Sequence, residues 1–405
     1  MDLRPLRRRD FRLLFAAQAI SFLGTMVTYV ALPWQMYALT RSSLAVGVLG
    51  VVELVPLLLT AFVGGALADW MDRRRLVIAT EIGLMAGCLA LMANAARTSP
   101  SIALLFVAAG VMSACNGLQR PSLDAMPPRL VPSEEIPAVA ALSALRGSLG
   151  MIVGPAIGGV LVGTVGAVAA FGVDAASYFA SLACFVAMRA VPPRDDAEAP
   201  SWRSIVEGFR YARSRQELIG TYVIDFVAMV FGMPLALFPA LAAGRFGTAA
   251  LGSLYAAPAV GALLASVTSR WTPRVHHHGL AVMIAATVWG VAIVAFGLAP
   301  SLWPALAFLA IAGAADAVSG MFRMTMWNQT IPDALRGRLA GIEMVSYMSG
   351  PLLGHAEAGA VAAVAGVQAS IVSGGVLCVV GVIVCGLALP HFRRYDARRH
   401  APPPC

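Results

Sequence analysis

Gly154-Pro155-Ala156-Ile157-Gly158 and, 196 residues later, Gly350-Pro351-Leu352-Leu353-Gly354 are two versions of one motif. Each lies inside a long apolar run, and each is followed by a Gly/Ala-rich stretch and another apolar run. The spacing is close to half of the 405-residue chain, so the chain reads as two similar halves. Glycines four apart let helix backbones approach closely. The proline between them removes one internal hydrogen bond and kinks the helix. Parallel half-repeats of this kind are a transporter signature.

Working outward, twelve apolar runs can be drawn, at 12–37, 44–68, 76–96, 102–120, 137–163, 167–189, 218–243, 249–269, 279–299, 302–327, 338–363 and 367–389. A helix that crosses a bilayer needs about 20 apolar residues, and each run supplies roughly that. Hydrophobic residues make up 59% of the chain and charged residues only 12%, against about 25% charged in a soluble domain. The mean hydropathy is +0.77. A soluble enzyme, a secreted disulfide scaffold and a disordered chain are excluded. The expected fold is an all-α membrane protein with twelve transmembrane helices in two pseudo-symmetric six-helix halves, 1–189 and 218–390. A linker at 190–217 and a basic tail at 391–405 complete it. The first run is long and lacks a small-residue cleavage site, so no cleaved leader is expected.

Every one of the 29 basic residues is arginine, and the net charge is +8. The arginines sit between the apolar runs, which favours a membrane surface over nucleic acid as their partner. With both termini placed in the cytoplasm, 25 arginines fall on that side. Only Arg41, Arg97 and Arg245 fall outside, and Arg146 alone lies well inside a span, Arg323 being counted at the cytoplasmic end of its run. This bias sets orientation by the positive-inside rule. In the linker, Trp202, Ile205, Val206 and Phe209 recur at helical spacing between arginines, which predicts an amphipathic helix on the inner leaflet. The tail from His391 is expected to be disordered and drawn to lipid. Five of the six cysteines lie in apolar runs without metal-ligand spacing and read as packing thiols. His276-His277-His278 reads as a solvated turn. No metal or cofactor site is expected. Without lysine there is no phosphate-binding Gly-x-x-x-x-Gly-Lys-Ser/Thr loop, and no nucleophile–base arrangement suggests an enzyme.

Between the second and third runs stands Gly64-Gly65-Ala66-Leu67-Ala68-Asp69-Trp70-Met71-Asp72-Arg73-Arg74-Arg75. It resembles the Gly-x-Leu-Ala-Asp-x-x-Gly/Asp-Arg-Arg/Lys signature of the major facilitator superfamily. The resemblance implies a conformational latch made by Gly65, Asp69, Asp72, Arg73 and Arg74. An acid such as Asp69 would be favoured at a helix N-terminus of the other half. The second half, at Ser269-Arg270-Trp271-Thr272-Pro273-Arg274, lacks the acid. In the fifth run, Gly150, Gly154, Pro155, Gly158 and Gly159 resemble the Gly-x-x-x-Gly-Pro-x-x-Gly-Gly gating signature of exporters, which implies a kinked fifth helix packed against the eighth; plain tight packing is the other reading. Val173-Asp174-Ala175-Ala176-Ser177-Tyr178-Phe179, Gly208-Phe209-Arg210-Tyr211, Phe238-Pro239-Ala240-Leu241-Ala242 and the stretch from Gly252 to Ala262 narrow the resemblance. They look like the branch that includes the enterobactin exporter and macrolide-efflux-like proteins. That implies a multi-pass protein of the bacterial inner membrane, working as a monomer by alternating access and exporting a siderophore or a drug in exchange for protons. Import on the same fold and a non-transport membrane protein remain as alternatives. The arginine that many proton antiporters carry in the fourth helix is absent from Val111-Met112-Ser113-Ala114-Cys115-Asn116.

Ionisable residues inside spans are costly and are functional candidates by default. Asp316, Asp225, Glu53, Arg146, Arg323 and Glu343 are the candidates for proton coupling or intramembrane ion pairs. Asp316 and Arg323 are seven apart and share a helix face. Static ion pairs are the alternative role. His355 and Glu357 lie further out, Asp174 reads as a helix cap, and Glu81 as a partner of Arg73–Arg75. Gln18, Thr25 and Tyr29 share a face of the first helix. The superfamily places helices 1, 4, 7 and 10 around its cavity, so Gln18, Phe22, Thr25, Tyr29, Asn116, Gln119, Met229 and Met324 are the candidate substrate-cavity residues.

Overall fold

The computed structural model describes residues 2–191, 210–332 and 336–399, with the side chains at 62, 65–66, 68–70, 336–338, 340–347 and 399 outside that description. Among the described residues, twelve long helices run in chain order. They are α1 (Arg9–Thr40), α2 (Ser43–Trp70), α3 (Arg73–Ala95), α4 (Ile102–Ala125), α5 (Ile136–Thr164) and α6 (Ala167–Ala187). Then come α7 (Gln216–Phe231), α8 (Leu251–Val267), α9 (His278–Leu298), α10 (Leu302–Thr330), α11 (Arg336–Ala365) and α12 (Val367–Ala388). Among the described residues, eleven helical stretches are long and apolar enough to cross a membrane. Large apolar side chains such as Leu59, Phe179 and Trp303 are well exposed, as expected where lipid rather than water surrounds the fold.

The boundaries follow local chemistry. Ser42 and Ser101 cap α2 and α4 by accepting from the amides of Ala45 and Leu104. Asp72 caps α3, accepting from the amide of Arg74 at 2.9 Å. The half-repeat reappears in the turns. Gly166 joins α5 to α6 with φ +99°, and Gly366 joins α11 to α12 with φ +90°. A side chain at that backbone angle is strained, so both tight connections need glycine.

The seventh run is not one helix. α7 stops at Phe231, and Leu235–Leu237, Phe238–Leu241 and Ala242–Phe246 follow as short turns of 3₁₀, α and π type. Pro234 and Pro239 each lack the amide that a continuous helix needs, and Gly232 lies so close to the Trp289 ring that no side chain fits there. The amphipathic-helix expectation at 202–209 lies outside the described residues. The tail expectation is corrected. Pro390–Arg393 forms a helical turn and Ala397–Arg399 a 3₁₀ turn. Phe392 and Tyr395 are buried in a core shared with Ile224, Val282, Phe322 and Val382.

Contacts divide the chain into two units: Met1–Ala45 with Val51–Ala199 and Ala242–Ala256, and Val46–Gly50 with Pro200–Leu241 and Ala257–Cys405. In the first, Leu14, Val77, Met126 and Phe185 form a core between α1, α3 and α6. In the second, α7, α9, α10 and α12 surround the core that receives the tail.

Candidate functional site

The second unit brings three of the intramembrane charges together. Arg323 of α10 pairs with Asp225 of α7 through Nη1. Its Nη2 lies 3.6 Å from Asp316, two turns earlier on α10. Helical side chains lean towards the N-terminus of their own helix, so Arg323 reaches back towards Asp316. The two acids differ in setting. The side chains of Arg323 and Asp225 are 11% and 12% exposed, and that of Asp316 is 43% exposed. Ala228, Ala286, Trp289 and Ser319 line the small pocket around them. The Trp289 indole donates to Gly232 O at 3.0 Å, where α7 ends. The Nε of Arg323 is buried without a partner among the described residues. One guanidinium thus faces two carboxylates, one enclosed with it and one open.

Two of the remaining charged candidates, Arg146 and Glu53, belong to the first unit. In the first unit Arg146 of α5 donates to Gln18 of α1. Half-buried Glu53 of α2 offers its backbone carbonyl to Ser113 Oγ at 2.7 Å. The side chain of Glu343 lies outside the described residues.

Several expected cavity residues are engaged within the helix packing. Thr25 Oγ1 shares a 2.7 Å hydrogen bond with the Tyr178 hydroxyl. Gln119 is buried and donates to Glu81 at 2.7 Å. Met229 is buried against Gly350. Each of these three side chains is thus engaged by a neighbouring helix. Tyr29 stacks edge-on against Tyr255, with ring centroids 5.5 Å apart, and Phe22 covers Gly150. Asn116 and Met324 are exposed.

The motif residues have definite partners. Gly150, Gly154 and Gly158 face Phe22, Met26 and Val27 of α1. Gly159 meets Gly252 of α8. The glycine stripe of α5 therefore packs on α1 along most of its length and on α8 at Gly159, where the expected α5–α8 approach is found. In the second unit Gly354 lies against Met229 and Val230 of α7 in the same way. Pro155 sits in the helix interior, where its carbonyl lies against Gly252. At the α2–α3 turn, Arg74 donates through Nε to Phe185 O at 2.7 Å and through Nη2 to Val186 O. Asp72 accepts from the amide of Val191 at 3.2 Å, and the Arg73 amide donates to Val191 O. Cations are favoured at a helix C-terminus, so Arg74 braces the end of α6, and Asp72 holds the segment that follows it at Val191, within their own unit. The surroundings of Gly65 and the side chain of Asp69 lie outside the described residues.

A buried polar cluster was not foreseen. Asp174 is fully buried two turns into α6, accepting from Cys88 Sγ at 3.2 Å and from Ser177 Oγ. It caps nothing; Gly166 holds that position. Glu81 is buried and accepts from Gln119 rather than from the arginine cluster. The signal was present in the sequence: Asp174, Ser177, Tyr178 and Ser181 recur at helical spacing as a polar stripe along α6. His278 is likewise not a solvated turn residue. It is the first residue of α9, buried beside Phe322 and Tyr395.

A family profile described as transmembrane secretion effector matches residues 1–405. The enterobactin exporter EntS of Shigella boydii serotype 18 is 29% identical over 395 residues, 97% of this chain and 94% of the relative. The enterobactin exporter EntS of Escherichia fergusonii is 28% identical over the same shares. Among solved structures, a POT family transporter in complex with 5-aminolevulinic acid aligns with a TM-score of 0.75 at 13% identity, covering 94% of this chain and 96% of its own. The nucleoside transporter NupG gives 0.72 at 13% identity, covering 95% and 99%. A bacterial homolog of the human lysosomal transporter Spinster gives 0.72 at 16% identity, covering both chains fully. At these identities the structures speak for the fold alone, a transporter fold built throughout from helices.

Proposed function

Because the chain belongs to the transmembrane secretion effector family, we propose that it is a secondary exporter of a small amphipathic molecule. The cargo is a siderophore of the enterobactin type or a drug of the macrolide type, moved outward across the bacterial inner membrane by alternating access. The observation that carries this reading is similarity to enterobactin exporters along 97% of the chain. A relationship of that length spans both halves, including the helices that the superfamily uses around its cavity. The reading includes twelve spans, with α11 as the eleventh, and both termini on the arginine-rich cytoplasmic side.

The shared guanidinium of Arg323 supports proton coupling. A buried cation is tolerable only with a counter-charge, and Asp225, enclosed beside it, supplies one. Asp316, the more exposed of the two acids, is the expendable partner. Protonation of Asp316 leaves the Asp225–Arg323 pair intact and removes one negative charge from the pocket; deprotonation restores the three-charge cluster. A carboxyl that alternates between these settings as the protein changes state carries one proton per cycle. The same exchange would alter the charge seen by a cargo near α7 and α10.

The test is secretion. Cells that make enterobactin but lack their own exporter should release it into the medium when this protein is expressed. Retention of enterobactin in well-expressing cells would overturn the siderophore reading, and faster uptake from the medium would reverse the direction.

A further inference from the structure

A second groove plays no part in the charge cluster. It lies within the second unit between α9 and α10 and has a volume of about 750 Å³. Leu280, Ile284 and Val288 form one wall, four residues apart on a single face of α9; Ile311, Val318 and Phe322 of α10 form the other. Leu280, Ile284, Val288 and Ile311 are each between 41% and 55% exposed, so the groove opens on the outer surface of these helices rather than inward. From Leu280 to Val288 the wall runs about 12 Å, the scale of a stretch of acyl chain.

One end of the groove has different chemistry. Arg274, His276, His277 and Arg398 close it. Trp271 stands at the same end, 40% exposed and tilted against Phe322 with centroids 6.0 Å apart. A half-exposed Trp beside arginines at the end of an apolar helix pair marks the headgroup level of a bilayer. The C-terminal turn completes this end. The amide of Ala397 donates to His276 O at 2.9 Å, which fixes Arg398 beside the loop. Arg398 also pairs with Asp396 at 2.6 Å, and its guanidinium holds the Asp396 carboxyl well below the usual carboxylate range. Asp396 thus offsets one arginine, and the charge of Arg274 remains in excess.

We propose that this groove is a binding site for an anionic phospholipid, with an acyl chain along α9 and α10 and the headgroup phosphate at Arg274 and Arg398. Apolar walls open to the bilayer suit the chain, and the basic end suits the anion; basic pockets between spans select such headgroups. A zwitterionic lipid brings a cation to the same end and meets Arg274 unfavourably. Through the Ala397–His276 bond, an occupied site ties the tail to the loop before α9.

The experiment uses the full-length protein in detergent. Phosphatidylglycerol and phosphatidylcholine with identical chains are added separately, and lipid retention is read by native mass spectrometry alongside the thermal midpoint. Wild type should retain phosphatidylglycerol and rise in midpoint, with phosphatidylcholine at least several-fold weaker. The double variant Arg274→Gln/Arg398→Gln alters exposed groups and should fold, yet lose that preference several-fold. Val288→Phe narrows the groove without touching the arginines and should also lower phosphatidylglycerol retention. Equal retention of both lipids by wild type, or an unchanged preference in the double variant, overturns the proposal. So does a midpoint rise with glycerol 3-phosphate equal to that with phosphatidylglycerol, which would assign the basic end to a soluble anion.

Discussion

Asp225→Asn and Asp316→Asn remove the same charge from partners of the same arginine, yet the structure sets unequal costs for them. Arg323 is 11% exposed and Asp225 12% exposed. Breaking a buried pair by removing one member costs about 3–5 kcal/mol, because the other charge is stranded. Here Asp316 stays 3.6 Å from the guanidinium and retains part of that interaction, so Asp225→Asn should cost about 2–4 kcal/mol. Asp316 is 43% exposed, and screened pairs of this kind contribute about 0.2–1 kcal/mol. Asp316→Asn should therefore lower stability by less than about 1 kcal/mol. Unfolding of the purified protein in detergent, followed by tryptophan fluorescence, measures both; Trp289 lines the same pocket. Repeating each variant in an Arg323→Gln background gives the two pairwise couplings. Equal losses, or a larger loss for Asp316→Asn, would refute the division into an enclosed structural partner and an open exchanging one.

Two other outcomes follow from the packing and the charge bias. Gly154→Val should lower the thermal midpoint, by a loss of about 1–3 kcal/mol, because a Cβ there meets Met26 and the Leu23 carbonyl of α1; Gly147→Ala, with nothing near its Cβ, should be tolerated, and an unchanged midpoint for Gly154→Val would remove the close-packing argument. Single cysteines placed beside Arg41, Arg97 and Arg245 should react with a membrane-impermeant reagent in intact cells while positions beside Arg74 and His277 should not; the reverse pattern would invert the topology.

Much of the fold was legible because its signals are local or repeated. Apolar runs bounded by arginine and the paired Gly-Pro motifs can each be read over a few turns. The break at Gly232–Pro234 was missed because a hydropathy run does not register a lost amide, although both prolines were in view. The Asp316–Arg323 relation was legible from seven-residue spacing. The pairing of Arg323 with Asp225 was not, since nothing in spacing says which faces of α7 and α10 meet. The same limit explains Gln119 and Thr25. A polar residue on a helix face can turn to a cavity or to a neighbouring helix, and Glu81 and Tyr178 lie on neighbours that one helix pattern cannot reveal. The tail was misjudged on its charge; Phe392 and Tyr395, the residues that dock it, were outnumbered by arginines and prolines.

The most direct measurement is enterobactin uptake into inside-out membrane vesicles with an acidic interior, comparing wild type with Asp316→Asn at equal expression. Wild type should accumulate enterobactin against its gradient and lose that accumulation when a protonophore is added, while Asp316→Asn should carry it only downhill. Accumulation by Asp316→Asn at the wild-type level, or wild-type uptake indifferent to the pH gradient, would contradict the account.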